Sequence, residues 1–415
     1  MKRFSALALL AASDLAVGFA VQSFVLVSVG IGSLTDAFFA GQALPLVLLS
    51  IIQLPLQRAS LSAFSGVTSE RYPALKLFSG VFIVLLVLTT LLSVIAPWGV
   101  SLIYSSLPPE AQAAAVGVLR IQGLAATFSA SNLVMLSLNH LSSRFLYCEM
   151  SLLFSGLVGA AVVVATVKYF GVMAAAYGQL VKAMLCGVLY LIPLRGKLSW
   201  ATPPWDEVKK IVAPLASAGA LTKFGPVIDR SIASGAASGS LTVLAFTQWI
   251  FTAGIGVAER ALIAPRLPGL KKGGLTPATA RTATQLAVAG ALSALALFLF
   301  ATAAGSFGGI ERRVLPSDTA LLAQCAILLI GFPIGSLSVQ WMAAAITVYG
   351  RPDVTAKIVA WGFFVGVSLK VAGFWLGGIQ GLAIGISIYY LLNAAAFVVA
   401  LKRLSTPAAS SGAAS

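Results

Sequence analysis

Five ionisable residues stand where ionised groups are costly. Lys223, Asp229, Arg230, Glu259 and Arg260 all fall within one apolar hairpin, Ile211 to Arg266, whose two runs are joined by the small-residue turn Gly235 to Gly239. Each run is long enough to cross a bilayer, which takes about 20 residues at a 1.5 Å rise. A charge at mid-bilayer costs about 2.5–3.5 kcal/mol even on the lenient insertion scale. Five in one hairpin are tolerable only if they face one another or face water inside a bundle. The chemistry they offer is recognition of a polar or charged cargo on its way through a membrane.

The elements that must position them are membrane helices. The 415-residue chain is 59% hydrophobic and 9% charged, with a mean hydropathy of +0.97. A soluble domain carries about 25% charged residues, so the chain reads as an all-α polytopic membrane protein. Its net charge of +15 does not point to nucleic acid, because cytoplasmic loops of membrane proteins collect Lys and Arg. Cys148, Cys186 and Cys325 have no metal-like spacing and are assigned no disulfide; His140 is the only histidine. No G-x-x-x-x-G-K-[ST] run and no Ser/His/Asp set is present, so neither ATP hydrolysis nor enzymatic catalysis is expected, and neither cofactor nor metal.

Hydropathy predicts twelve helices, at about 5–29, 37–57, 76–98, 112–137, 146–167, 172–194, 208–232, 241–265, 283–304, 319–347, 355–376 and 380–401. The first is read as a membrane helix rather than a cleaved leader, since its apolar run continues past Asp14 to Val29. The tenth is longer than a bilayer needs, which predicts tilting, protrusion or a kink at Pro333. Pro214 and Pro226 each remove a backbone hydrogen bond inside the seventh, a loss that a membrane bundle tolerates where neighbours or cavity water satisfy the freed carbonyls. With the N-terminus in the cytoplasm, inner segments hold 18 basic residues and outer loops only Lys168, Arg312 and Arg313. That bias predicts both termini inside.

The chain also repeats itself. Gly32 to Thr35 (GSLT) recurs as Gly239 to Thr242, an offset of 207, and Arg144/Arg351, Gly171/Gly378 and Gly178/Gly385 share that offset. Six helices per repeat is an even number, so the halves are parallel repeats about an axis along the membrane normal. The expected organisation is an N-lobe over residues 1–200 (helices 1–6), a C-lobe over 201–404 (helices 7–12) and a disordered tail over 405–415.

Three patches carry a family resemblance. Gly30 to Phe39 (GIGSLTDAFF) with Leu44 and Pro45, Ala233 to Ser240 (ASGAASGS), and Gly256 to Ala258 with Pro265 and Leu267 resemble the MviN/MurJ-like flippases of the multidrug/oligosaccharidyl-lipid/polysaccharide (MOP) exporter superfamily. The resemblance implies two six-helix lobes forming a V. It places a central cavity between helices 1, 2, 7 and 8, with 4 and 10 alongside, and implies alternating access for a lipid-linked sugar. The chain departs from the lipid II flippases where they carry charge: Val21, Gln22, Ser50, Gln248 and Trp249 stand at those positions. Their two further C-terminal helices have no counterpart here.

By helix assignment, Lys223, Arg230 and Arg260 face that implied cavity as candidate contacts for a pyrophosphate, which a guanidinium can grip bidentately. Internal pairing of Arg230 with Asp229 or Asp14, and of Arg260 with Glu259, is the alternative. Asp14, Asp229 and Glu259 are candidate sites for H⁺ or Na⁺ coupling, with structural pairing again the alternative. Asp36 is expected to cap helix 2. Gln42, Asn132, Gln248 and Trp249 could meet sugar hydroxyls and a ring face, or hold helices together.

The reading that follows is a flippase in the bacterial inner membrane. Its substrate would be an undecaprenyl-pyrophosphate-linked oligosaccharide destined for surface polysaccharide. Its partners would be the lipid-linked glycan, membrane lipids, a polysaccharide polymerase and glycosyltransferases. Lipid II flipping, drug or cation antiport, and a scaffold role in polysaccharide synthesis are the alternatives.

Overall fold

The structure is a computed structural model that describes residues 2–65, 71–203, 205–258, 282, 285, 288, 316–348 and 351–405. In chain order its helices are α1 (Lys2–Val29), α2 (Ser33–Ser65), α3 (Ala74–Ile103), α4 (Pro109–Leu141), α5 (Phe145–Phe170), α6 (Met173–Leu191), α7 (Trp205–Lys223), α8 (Gly225–Ala233), α9 (Ser240–Ala258), α10 (Pro316–Leu328), α11 (Gly331–Val348) and α12 (Pro352–Ser405). Among the described residues the only β pairing is one isolated bridge, Tyr72 with Leu198. Eight of the described spans are long and apolar enough to cross a membrane. The protein is an all-α, multi-pass membrane protein.

The breaks follow the local chemistry. The predicted seventh span divides into α7 and α8 at Phe224, with Pro226 in the first turn of α8, where its missing N–H costs nothing. The predicted tenth span divides into α10 and α11 at Leu329 and Ile330, just before Pro333. Gly377 and Gly378 leave helical geometry inside α12, which separates the predicted eleventh and twelfth spans. By contrast, Pro45 and Pro55 stay within α2 and Pro97 within α3. The predicted ninth span lies outside the described residues apart from isolated positions, as do Glu259, Arg260 and the tail beyond Ser405.

The chain forms two compact units, Met1–Thr242 and Val243–Ser415. In the first, α2 packs on α4, α7 and α8, while α5 packs on α6 and α1. Small residues set the close approaches: Gly159 on α5 meets the Gly178 carbonyl of α6, and Gly41 on α2 meets the Ala115 carbonyl of α4. Without a hydrophobic drive between helices in lipid, such backbone proximity and polar bridges supply the association. Two asparagines on α4 provide the bridges. Asn132 Nδ2 donates to the Ala183 carbonyl at 2.8 Å, and Asn139 Nδ2 donates to the Tyr190 carbonyl at 3.0 Å. Donors and acceptors are both seven residues apart, so these are successive rungs between α4 and α6.

On the outside, α3 exposes Ile83, Val84, Val87, Leu91, Val94, Ile95 and Trp98. Apolar surface of that extent has no place in water and fits contact with acyl chains. In the second unit, α11 packs on α12, with Gly331 against Ser387 and Gly335 against Tyr390.

The repeat is visible in the backbone. α2 and α9 begin at Ser33 and Ser240, α4 and α11 end at Leu141 and Val348, and α5 and α12 begin at Phe145 and Pro352; each pair differs by 207. Gly171 has φ 53°, ψ −129° and Gly378 φ 56°, ψ −137°. Both are left-handed conformations that favour glycine. The Arg144 N–H bonds to the Asn139 carbonyl, and the Arg351 N–H bonds to that of Ile346. The same turn has therefore been built twice.

Candidate functional site

One set of polar groups in the first unit, around Asp36 and Arg230, gathers at the end of the bundle that α1 reaches after one pass, away from the N-terminus. Residues 30–32, 104–108 and 234–239 link the helices there. Asp36 is the centre of this junction. It sits in the first turn of α2 and is 3% exposed. Its Oδ2 accepts the Gly239 N–H at 2.7 Å; its Oδ1 accepts the Thr242 N–H at 2.7 Å and the Thr242 hydroxyl at 2.6 Å.

Asp36 therefore caps the start of α9. The expectation that it would cap α2 is corrected: Thr35 Oγ1 already accepts the Gly32 N–H of that helix at 2.9 Å. The carboxylate gains from charge-assisted bonds and from the positive end of the α9 dipole.

The two copies of the repeated motif touch. Thr242 Oγ1 lies 3.1 Å from Thr35 Oγ1. The copies are not equivalent in chemistry, since the position corresponding to Asp36 is Val243 (36 + 207). Gly239 is required between them. Its φ is +90°, and a Cβ there would come within 2.7 Å of Ile31 Cγ2.

Beside this cap, α3 and α8 are stitched together. Ser106 Oγ donates to the Ser234 carbonyl at 2.6 Å, and Ser231 Oγ donates to that of Ile103 at 2.9 Å. Arg230 on α8 is 8% exposed, and its Nη1 donates to the Phe39 carbonyl of α2 at 2.7 Å. Among the described residues its Nε has no hydrogen-bond partner, nor does the Tyr104 hydroxyl, and Tyr104 is 1% exposed. Burial pushes the Tyr104 phenol up to about 12, although the Arg230 charge pulls the other way.

The remaining predicted site residues are distributed as follows. Lys223 is exposed at the end of α7, and Asp229 is buried on α8. Gln42 is buried on α2, while Asn132 is committed to the rung on Ala183 and packs against Gly187 of α6. In the second unit Gln248 and Trp249 are half-buried on α9, with the Trp249 ring stacked 6.3 Å from Phe246.

Asp14 stands apart from the junction. Its Oδ1 accepts from Lys182 Nζ on α6 at 2.7 Å, and Gly156 on α5 leaves room for the pair, since a Cβ there would lie 2.9 Å from Asp14 Oδ1. Asp14 and Lys182 are 168 residues apart, and no local pattern in the sequence announces their pairing. The repeated GSLT motif marks Thr35 and Thr242 in the sequence, but it does not mark Asp36 as the acceptor that joins them.

The fold of the chain matches solved transport proteins. A lipid II flippase, MurJ, in an inward closed conformation superposes with a TM-score of 0.75 over 97% of this chain and 88% of that one, at 12% identity. The chain has the fold of the MOP exporters. A multidrug resistance MATE transporter of the MOP superfamily, inward-facing, matches with a TM-score of 0.71 at 17% identity over 95% of this chain and 99% of that one. A MOP superfamily transporter from Pyrococcus furiosus, described as having a binding pocket of reversed polarity, matches with a TM-score of 0.56 at 15% identity, over 97% and 96%. No family model matches the chain, and no curated protein matches it. In this MOP fold, Asp36, Arg230 and the Thr35–Thr242 contact tie α2 to α8 and to the first turn of α9.

Proposed function

We propose that the chain is an alternating-access flippase. It moves a lipid-linked oligosaccharide, with undecaprenyl pyrophosphate as the carrier, across the bacterial inner membrane for surface polysaccharide synthesis. The observation that carries this reading is Arg230, a cation held inside a fold shared with a lipid flippase. The basic side chains Lys223, Arg230 and Arg260 outnumber Asp229 and Glu259 in the hairpin, which suits an anionic head group. The orientation with both termini in the cytoplasm rests on the loop charge bias. The central cavity between two lobes, and the roles of Gln42, Asn132, Gln248 and Trp249 toward sugar, belong to the same proposal.

The test is translocation of a fluorescent undecaprenyl-pyrophosphate oligosaccharide in proteoliposomes. Arg230→Ala with Arg260→Ala is expected to slow it at least tenfold; an unchanged rate overturns the reading. Lipid II in the same assay distinguishes the peptidoglycan precursor as cargo.

Cation antiport is the second reading, favoured by the likeness to the MATE transporter. It needs a carboxylate free to take a cation. Asp14 holds Lys182 at 2.7 Å, which supports the anionic cargo instead. Efflux of a cationic dye by cells expressing the chain, abolished by Asp14→Asn, would reverse that preference.

A further inference from the structure

Arg120 lies on α4 and is exposed beside α3. Pro97 explains part of its position. A proline has no N–H, so the Ser93 carbonyl, one turn earlier in α3, loses its helical donor. Arg120 Nε supplies the missing bond, donating to the Ser93 carbonyl at 3.3 Å. That uses one of five guanidinium N–H donors. Among the described residues the two terminal nitrogens of Arg120 make no hydrogen bond, and Arg120 joins no ion pair. One edge of the guanidinium is fixed and the other is free.

Depth makes the free edge costly. Arg120 and Ser93 each lie about 7 Å from the midpoints of α4 and α3, toward the Asp36 end, at a 1.5 Å rise per residue. A hydrocarbon core of about 30 Å extends about 15 Å from its middle. Helices centred in it hold the Arg120 backbone below the head groups, where a lone cation is unfavourable. The side chain is long enough to raise its end to the head-group level. Trp98 marks that level: it is exposed and lies beyond Ser93 toward the same end of α3, and tryptophan concentrates at the membrane interface.

We propose that Arg120 is the binding site of one anionic phospholipid. The Ser93 carbonyl holds Nε, the two terminal nitrogens grip the lipid phosphate, and the acyl chains lie along the exposed face of α3. Charge and place select this occupant. A phosphodiester matches the planar fork of the guanidinium, and a net negative head group offsets a cation that no described carboxylate neutralises. Leu91, Val87 and Val84 are exposed on α3 and continue the apolar track from the level of Ser93 toward the middle of the helix. The site belongs to α3 and α4 and to the leaflet at the Asp36 end, so it does not depend on what the protein carries.

The test titrates the full chain in detergent with phosphatidylglycerol or phosphatidylcholine and counts bound lipid by native mass spectrometry. One phosphatidylglycerol is expected to bind at least tenfold more tightly than phosphatidylcholine; equal affinity for the two overturns the anionic site. Arg120→Gln is expected to weaken phosphatidylglycerol binding at least tenfold, with Arg120→Lys intermediate.

Arg120→Gln also strips the Ser93 carbonyl of its donor, so the deciding comparison is made with Pro97→Ala, in which the helix supplies that donor itself. Pro97→Ala alone is expected to keep the lipid. Adding Arg120→Gln to it is expected to leave the unfolding midpoint unchanged and to lose the lipid. If the double variant still binds phosphatidylglycerol as tightly, Arg120 does no more than replace the bond that Pro97 removes, and the proposal falls. Undecaprenyl phosphate is titrated in parallel. Arg120-dependent binding of that lipid, with none of phosphatidylglycerol, overturns a phospholipid as the occupant.

Discussion

Thr35 and Thr242 occupy the same position in two copies of one motif, 207 residues apart, and their hydroxyl oxygens lie 3.1 Å from each other. A duplicated chain has here brought the two copies of a helix start into contact. The next residue after Thr35 is Asp36, and its carboxylate extends that contact into a cap on α9. If the proposed function holds, this is a contact the transport cycle must break.

Thr35→Cys with Thr242→Cys, in a background lacking Cys148, Cys186 and Cys325, is therefore expected to form a disulfide readily on oxidation. Glycolipid translocation should fall at least tenfold and recover with reductant. Translocation that persists in the cross-linked protein would mean that the junction never opens.

Asp36→Ala removes three acceptor contacts at once and leaves the Gly239 and Thr242 N–H groups buried without partners. A loss of roughly 2–5 kcal/mol is expected, measured as a lowered unfolding midpoint in detergent. Asp36→Asn, which keeps one carbonyl oxygen, should fall between the two. A midpoint unchanged in Asp36→Ala would show that the cap contributes nothing.

Gly239→Ala tests the backbone of the same turn. The φ of +90° and the approach to Ile31 both act against a side chain. A cost of about 1–3 kcal/mol is expected, seen in the same unfolding measurement. Gly235→Ala serves as the control, since Gly235 does not have a positive φ.

The Asp14–Lys182 pair separates a structural role from ion coupling. Asp14→Asn and Lys182→Met should each destabilise the chain, and the double variant should recover part of the loss, with a coupling energy of about 0.5–3 kcal/mol. If the pair is structural only, the double variant keeps gradient-driven transport. If Asp14 carries the coupling H⁺ or Na⁺, the double variant loses its response to the gradient while remaining folded.

Much of the fold could be read from apolar run lengths. The glycines and prolines that end helices were visible too: Pro226 and Pro333 mark breaks in the predicted spans, and Gly171 and Gly378 mark matching turns. Pro45, Pro55 and Pro97 lie within helices that continue through them, because packing in a bundle can override a local breaker. Helix ends were drawn short where polar residues continue the helix, as at α2, which runs to Ser65. At the site, the repeat pointed to Thr35 and Thr242, but Asp36 was read as a local cap. Local sequence cannot reveal that Thr35 already holds the Gly32 N–H. The Asp14–Lys182 pair joins helices through residues 168 positions apart, a distance that no periodicity spans.

The rungs from Asn132 and Asn139 carry a mechanical consequence. Sliding α6 along α4 by one turn would move the Ala183 and Tyr190 carbonyls past both amides together, so neither bond could be kept while the other shifts. Two interactions in one register resist shear far better than either alone. The α4–α6 pair is thus built to travel as one stiff strut. The compliance needed for any large movement is left to the stretch broken at Phe224 and to the small-residue corner ahead of α9.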